Sequence, residues 1–176
     1  MCISKTINVV AIFGQCCSGK TYLTNHLSNM LQCPVRNCGE SLKDLAKKKG
    51  FNDYEKLPDE VHEIVDSETK NIALRAIKNS SLIIVEGRYL HYVLKDINNV
   101  VFIKLICGKD ERSRRLRLKS NVQGIISMDD IDESDIEFIK VRYGTVKPEE
   151  SQLIMDTEQL DVEAICKRIC DKLDLL

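Results

Sequence analysis

Eight consecutive residues, Gly14-Gln15-Cys16-Cys17-Ser18-Gly19-Lys20-Thr21, carry the strongest chemical signal in the chain. They match GxxxxGK[ST] in full, a match that this composition would produce by chance at roughly 0.3% over the whole sequence. Glycines at both ends let the backbone turn its N–H groups inward, and a helix starting there adds positive potential, so the segment suits phosphate oxygens. Lys20 is placed to reach β- and γ-phosphates, and the Thr21 hydroxyl is placed to bind Mg²⁺. An apolar run, Ile7–Phe13, precedes the motif, and a helical pattern through Leu23, Leu27 and Met30 follows it. The spacing predicts a nucleoside-triphosphate site.

Further motifs narrow the class. The chain has no DxxG, NKxD or LSGGQ segment, and at 176 residues it is short for an AAA module with an extra helical domain. What remains is a small kinase, which needs cations for the acceptor and for the transferring group, and a means of excluding water. Glu86-Gly87-Arg88 follows the apolar run Leu82–Val85. The C-terminal ends of parallel strands face the ligand crevice, so Glu86 and Arg88 are expected there. Arg88 could fork onto an acceptor phosphate, and Glu86 could orient a Mg²⁺ shell through water or hold the arginine. An exposed Glu–Arg turn is the plainer alternative.

Arg112, Arg114, Arg115 and Arg117, with Lys119, form a basic cluster in which Arg112, Arg115 and Lys119 share one helix face. A solvated basic face accounts for at least two of them. Arg112 and Arg115 are the candidates to lie over the nucleotide phosphates. Ser120–Glu133 is polar and acidic and reads as a mobile loop, with Arg142 beyond it as a closing partner. His26, His62 and His91 have no partner spacing and read as surface or packing residues. No Ser–His–Asp or Cys–His arrangement supports hydrolysis. Cys16 and Cys17 beside a helix N-terminus could be reactive thiols; the preferred reading is small residues that fit the loop.

These residues need a scaffold, and the hydrophobic pattern supplies one. Ile7–Phe13, Leu82–Val85, Val100–Ile106 and Leu153–Met155 are nearly unbroken apolar runs, suited to parallel strands buried on both faces. A weaker strand falls near Pro34–Cys38. Between them, Val61, Ile64, Val65, Ile72, Ala73, Ala76 and Ile77 follow helical spacing, as do Val162, Ile165, Cys166, Ile169, Cys170 and Leu173 behind an Asp161 N-cap. Cys166 and Cys170 are then core residues. Alternating strands and helices give a doubly wound α/β sheet with helices on both faces. Residues 38–79 and the region 112–142 are insertions, where such folds carry substrate-specific parts.

Composition sets the outer limits. Lys plus Arg is 26 against 27 Asp plus Glu, a balance that argues against nucleic-acid binding. Hydrophobic residues make up 43% and charged residues 30%, a globular mix for one domain spanning residues 1–176. The eight cysteines show no zinc spacing, and a domain of this size needs no disulfides to fold. Ile7–Phe13 is too short to span a bilayer, and neither a signal-peptide cleavage pattern nor a lipidation box is present. The expectation is a reduced, cytoplasmic protein that acts on small molecules without nucleic acid or membrane. Its oligomeric state is left open.

Together these segments resemble the nucleoside monophosphate kinases, above all the short cytidylate kinases of archaeal type, over nearly the whole chain. Besides the phosphate loop, Cys38-Gly39-Glu40-Ser-Leu-Lys43 resembles the family's Gly-Asp-x-x-Arg helix start, and Val85-Glu86-Gly87-Arg88 its monophosphate-binding strand end. Glu111-Arg112-Ser-Arg-Arg115 resembles the approach to its lid. Leu153-Ile-Met-Asp156-Thr157 resembles its last strand and adenine-side turn. The resemblance implies a five-stranded parallel sheet, ATP as donor, a nucleoside monophosphate as acceptor and a closing lid. It puts Gly14–Thr21, Arg112 and Thr157 at ATP, and Gly39, Glu40, Lys43, Glu86 and Arg88 at the acceptor. Two positions depart from the pattern: Glu40 stands where Asp is usual, and Lys43 where Arg clamps the acceptor phosphate. Lysine offers a point charge without a fork.

The expected activity is phosphoryl transfer from Mg-ATP to a nucleoside monophosphate, CMP or dCMP first. Lys20, Arg88, Arg112, Arg115 and Arg142 would position the groups and neutralise charge. Two alternatives stand beside it: a kinase of another small molecule, and a nucleotide-binding regulatory protein without turnover.

Overall fold

The computed structural model describes residues 7–51, 57–119, 127–144, 153–159 and 161–174. Five strands form one parallel sheet in the order β2-β3-β1-β4-β5: β1 (Val9–Gly14), β2 (Val35–Asn37), β3 (Ile83–Gly87), β4 (Val100–Ile106) and β5 (Leu153–Asp156). Strand β1 is central and every residue in it is buried. Its period of two divides the core. Val10 and Ile12 face Leu23, Leu27, Ile165 and Ile169, whereas Val9, Ala11 and Phe13 face Ala73, Ala76, Leu90 and Val93.

The first face is covered by α1 (Lys20–Leu31) and α7 (Val162–Leu173). Asp161 caps α7 by accepting from the Ala164 N–H, and Cys166 and Cys170 are buried, as the spacing required. The second face is covered by α3 (Asp59–Lys78) and α4 (Leu90–Val93). Val61, Val65, Thr69, Ala73 and Ala76 form the buried stripe of α3. Between β2 and α3 lies α2 (Cys38–Lys48), whose N-cap Asn37 accepts from the Glu40 N–H.

Because β1 lies between β3 and β4, the chain winds away from it in both directions, and a crevice opens at the C-terminal ends of these strands. The phosphate loop occupies that end. Gly14 has φ +155°, and a β-carbon there would lie 2.5 Å from the Leu105 carbonyl oxygen on β4, so glycine is required for the loop to leave the sheet.

The remaining helices are α5 (Lys109–Lys119) and α6 (Met128–Tyr143). The loop expected over Ser120–Glu133 is corrected here, because residues 128–133 are the first turns of α6. Ser127 caps this helix in a reciprocal capping box with Asp130, and Met128 is buried. Residues 120–126 lie outside the described residues.

Candidate active site

Helix α1 begins inside the phosphate loop, so Lys20 and Thr21 occupy its first turn. Lys20 Nζ donates to the carbonyls of Gly14 (2.8 Å) and Gln15 (2.7 Å), folding the side chain back over the loop. Burial, and then the nearby Arg88 guanidinium, pull the Lys20 ammonium down to about 8. This is a cation short of negative partners, which is what a phosphate-binding lysine needs.

Thr21 is tied to β3. Its hydroxyl donates to Glu86 Oε1 at 2.6 Å, while Thr24 Oγ1 and Asn37 Nδ2 each donate to Glu86 Oε2 at 3.1 Å. Glu86 is 5% exposed, so three donors, two from α1 and one from β2, fix a buried carboxylate at the crevice floor. Thr21 and Glu86 offer hard oxygen donors, and this fits Mg²⁺, which takes few protein ligands and keeps water and phosphate for the rest. Among the described residues no group of three or more His, Cys, Asp or Glu could hold a metal, so an ion here would share its shell with substrate phosphates.

Arg88 stands just past β3 and is 43% exposed at its side chain. Its Nη1 donates to Asp135 Oδ1 at 2.6 Å, and the Tyr89 hydroxyl donates to the same oxygen at 2.5 Å. Helix α6 thus lays a carboxylate on the arginine expected to meet the acceptor. An aromatic group supports this docking, with Tyr89 stacked on Phe138 at 4.9 Å and Tyr92 on Tyr143 at 4.7 Å.

The basic cluster on α5 divides. Arg115 reaches the phosphate loop, donating to the carbonyl of Cys17 (3.4 Å) and to Oγ1 (3.1 Å) and the carbonyl (2.8 Å) of Thr157, with Glu111 holding its Nε. Thr157 in turn donates to the Ser18 carbonyl at 2.9 Å, so the turn after β5 is stitched to the loop. Arg112 turns elsewhere: it forms a two-pronged pair with Asp132 of α6, at 2.9 and 2.7 Å, and is 3% exposed. Arg114 binds Glu111 and is exposed. Arg142 binds Asp66 at 2.9 Å, which joins α6 to α3 and not to the phosphate loop.

Beside Thr21 and Glu86 opens a cleft of about 310 Å³. Its other lining residues are Asn25, Val35, Arg36, Asn37, Glu40, Ser41 and Asp44. Of the residues expected at the acceptor, Glu40 and Glu86 line it, and Arg88 lies just past the end of β3, the strand that carries Glu86. Gly39 and Lys43 are exposed on α2 and are not among the lining residues. Sequence reasoning missed Asn25, Arg36, Asn37 and Asp44. The signals were present: Asn25 is one turn beyond Thr21, Asp44 is one turn beyond Glu40, and Arg36-Asn37 ends a strand, as Glu86-Gly87 does. Arg36 donates to Glu68 at 2.9 Å, while its buried Nε has no partner among the described residues.

Comparison with known proteins agrees with this geometry. The family model described as AAA domain (AAA_18) matches residues 10–140. A cytidylate kinase of Pyrobaculum calidifontis is 31% identical over 140 residues, covering 77% of this chain and 72% of that one. This chain belongs to the cytidylate kinase-like P-loop kinases. The kinase is a phosphotransferase, and its match to an AAA domain spans residues 10–140 despite the short chain. Solved structures share the fold across other acceptors. A sugar kinase from Janibacter sp. HTCC2649 superposes with TM-score 0.62 at 20% identity, covering 96% of this kinase and 95% of the other. Shikimate kinase from Bacteroides thetaiotaomicron does so with TM-score 0.59 at 15% identity, covering 95% and 98%. At such identities the likeness is one of fold.

Proposed function

We propose that this kinase transfers the γ-phosphoryl group of Mg-ATP to a nucleoside monophosphate, with CMP or dCMP first. The observation that carries this reading is the Thr21–Glu86 link. It joins the triphosphate cradle to β3, brings Arg88 to the same crevice, and opens onto a cleft large enough for a small acceptor. The cytidylate kinase relative favours cytosine among the bases.

The chemistry asks for positioning and charge stabilisation. Backbone N–H groups from Gly14 to Thr21, including those of Gln15, Cys16, Cys17, Ser18 and Gly19, hold the phosphates with the α1 N-terminus behind them. Lys20 exchanges the Gly14 and Gln15 carbonyls for phosphate oxygens, and negative charge restores its pKa. Arg88 exchanges Asp135 for the acceptor phosphate. Arg115 and Thr157 keep the loop and the donor side in register. Thr21 and Glu86 would hold Mg²⁺, Glu86 through water, and the ion would screen charge on the β- and γ-phosphates. Arg112 and Arg142, held by Asp132 and Asp66, would act when α6 closes over the bound substrates. Gly39 and Lys43 would border the acceptor on the α2 side.

One feature favours a second reading. The cleft is lined by carboxylates and amides (Glu40, Asp44, Glu86, Asn25 and Asn37) beside Arg36, and among the described residues no aromatic ring lines it. Such a lining also suits a polyhydroxylated acceptor, which would donate many hydrogen bonds to it. ADP release with Mg-ATP against CMP, dCMP, UMP, AMP and GMP, and against gluconate and shikimate, separates the two. Turnover confined to nucleoside monophosphates supports the first, and turnover confined to the hydroxy acids replaces it with the second.

A further inference from the structure

Two thiols lie inside the phosphate cradle, and phosphoryl transfer uses neither. Cys16 and Cys17 are consecutive, with their Sγ atoms in hydrogen-bond contact at 3.8 Å. Cys17 is buried and Cys16 half-buried. The backbone gives no reason for this pairing. Cys17 has φ +60°, a conformation that costs any residue with a β-carbon and that glycine adopts freely. Elsewhere among the described residues the cysteines sit differently: Cys166 and Cys170 are in the core, and Cys38 packs against Thr69.

The surroundings of the pair are polarised. The Cys17 S–H stabilises a Cys16 thiolate, burial opposes it, and the Arg88 and Lys20 cations favour it over the smaller repulsion of Asp135, leaving the Cys16 thiol at about 6. Burial holds Cys38 and Cys166 up at about 11. The cradle thus holds a sulfur favoured as thiolate by two cations, with a thiol partner already touching it, the arrangement of a thiol that reacts and a thiol that resolves.

We propose that Cys16 and Cys17 form an oxidant-sensitive modification site within the cradle, and that its oxidised form excludes nucleoside triphosphate. This rests on reading Gly14–Thr21 as the triphosphate site. The oxidant is a hydroperoxide. The Cys16 thiolate attacks one peroxide oxygen, the O–O bond breaks, and the hydroxide or alkoxide that leaves is neutralised by the proton the Cys16 thiol gave up to solvent on ionising. Sulfur has then lost two electrons to the peroxide and is a sulfenic acid. Cys17 sulfur attacks Cys16 sulfur, the S–O bond breaks, and water departs with the Cys17 proton, leaving a disulfide between neighbours.

Consecutive Cα atoms are ~3.8 Å apart across a trans peptide, closer than the ~4.4–6.8 Å usual for disulfides. The ring can close only if the backbone at 16–17 leaves its present conformation. That movement pulls the N–H groups out of convergence and strains the Arg115 contact to the Cys17 carbonyl. The same strain makes the bond easy for thiols to reduce, so the change is reversible. Bound phosphates, by filling the cradle, shield Cys16.

The test uses the full chain with hydrogen peroxide, alkylation of remaining thiols, peptide mass mapping, and ATP affinity measured by calorimetry. The peptide containing Cys16 and Cys17 should lose about 2 Da before Cys38, Cys107 or Cys166 reacts. Mg-ATP should slow that loss at least about tenfold, and the oxidised protein should bind ATP at least about tenfold more weakly until dithiothreitol restores it. Cys17→Ser should stop at a dimedone-trappable sulfenic acid on Cys16, and Cys16→Ser should make ATP affinity insensitive to peroxide. Oxidation of Cys16 no faster than of Cys107, absence of protection by ATP, or unchanged ATP affinity after oxidation would each overturn the proposal. The wild-type arms stand even if a variant fails to fold. Failure of untreated protein to bind ATP would instead overturn the reading of the cradle itself.

Discussion

Asp135→Asn gives the sharpest test of how α6 bears on the acceptor. Asp135 holds Arg88 at 2.6 Å and takes a second hydrogen bond from Tyr89. The Arg88 side chain is 43% exposed and that of Asp135 15%, so solvent screens the pair and its net worth is about 1–2 kcal/mol. An acceptor phosphate must compete with that contact. At ~1.4 kcal/mol only about one Arg88 in ten is free, and the apparent acceptor affinity falls by that fraction. The neutral amide keeps the shape and removes the charge. The KM for CMP should then fall by up to about tenfold, with the ATP KM unchanged. Helix α6 keeps its Arg112–Asp132 and Arg142–Asp66 ties, so the melting temperature should drop by only a few degrees, in line with ~1 kcal/mol. Initial rates of ADP release against CMP at saturating Mg-ATP give the number. A KM unchanged within about twofold refutes the competition, and a higher KM shows that Asp135 orients Arg88 for the acceptor.

Other perturbations address the remaining groups. Lys20→Ala should cost ~3–4 kcal/mol of barrier, or about 10²–10³ in rate, with the circular dichroism of the fold intact. With the free Lys20 ammonium at about 8, its charged fraction falls about tenfold between pH 7 and pH 9, so ATP binding should weaken by about that factor and take up protons near pH 8; Lys20→Met should abolish both effects in calorimetry run in two buffers. Arg88→Ala should raise the CMP KM far more than the ATP KM, and equal rises would move Arg88 to the donor side or to a structural role. Lys43→Arg restores a fork at the α2 start and should lower the CMP KM, by up to about tenfold if ~1.4 kcal/mol is recovered. An unchanged CMP KM would mean that Lys43, exposed and off the cleft lining, does not touch the acceptor.

Much of this architecture could be read from the sequence because it is written in local pattern. Val100–Ile106 is a strand over the span its β-branched run marks out, and the GxxxxGKT segment turns from β1 into α1 as its glycines demand. Among the described residues the 38–79 stretch holds α2 and α3, and His91 packs between Phe13 and Tyr92. Helix α6 was missed for a physical reason. Its first turns carry Asp129, Asp130, Asp132 and Glu133, and of its residues only Met128 is buried, so there is no apolar stripe to detect. Asp129, Asp132 and Asp135 are partnered over long range, by Lys109, Arg112 and Arg88, and such pairing leaves no local period. Ser127 and Asp130 were the available signal, being a capping box written with Asp in place of Glu. The cleft residues Arg36 and Asn37 escaped because β2 is only three residues long, too short for its end to stand out.

The most direct test is a single-turnover reaction of γ-labelled ATP, Mg²⁺ and CMP, with the products separated. Transfer of label to CDP, lost in Lys20→Ala and slowed by Arg88→Ala at subsaturating CMP, is the expected result. Label that stays on ATP or appears only in inorganic phosphate, with CMP unlabelled, would contradict the assignment of a nucleoside monophosphate to the cleft beside Thr21 and Glu86.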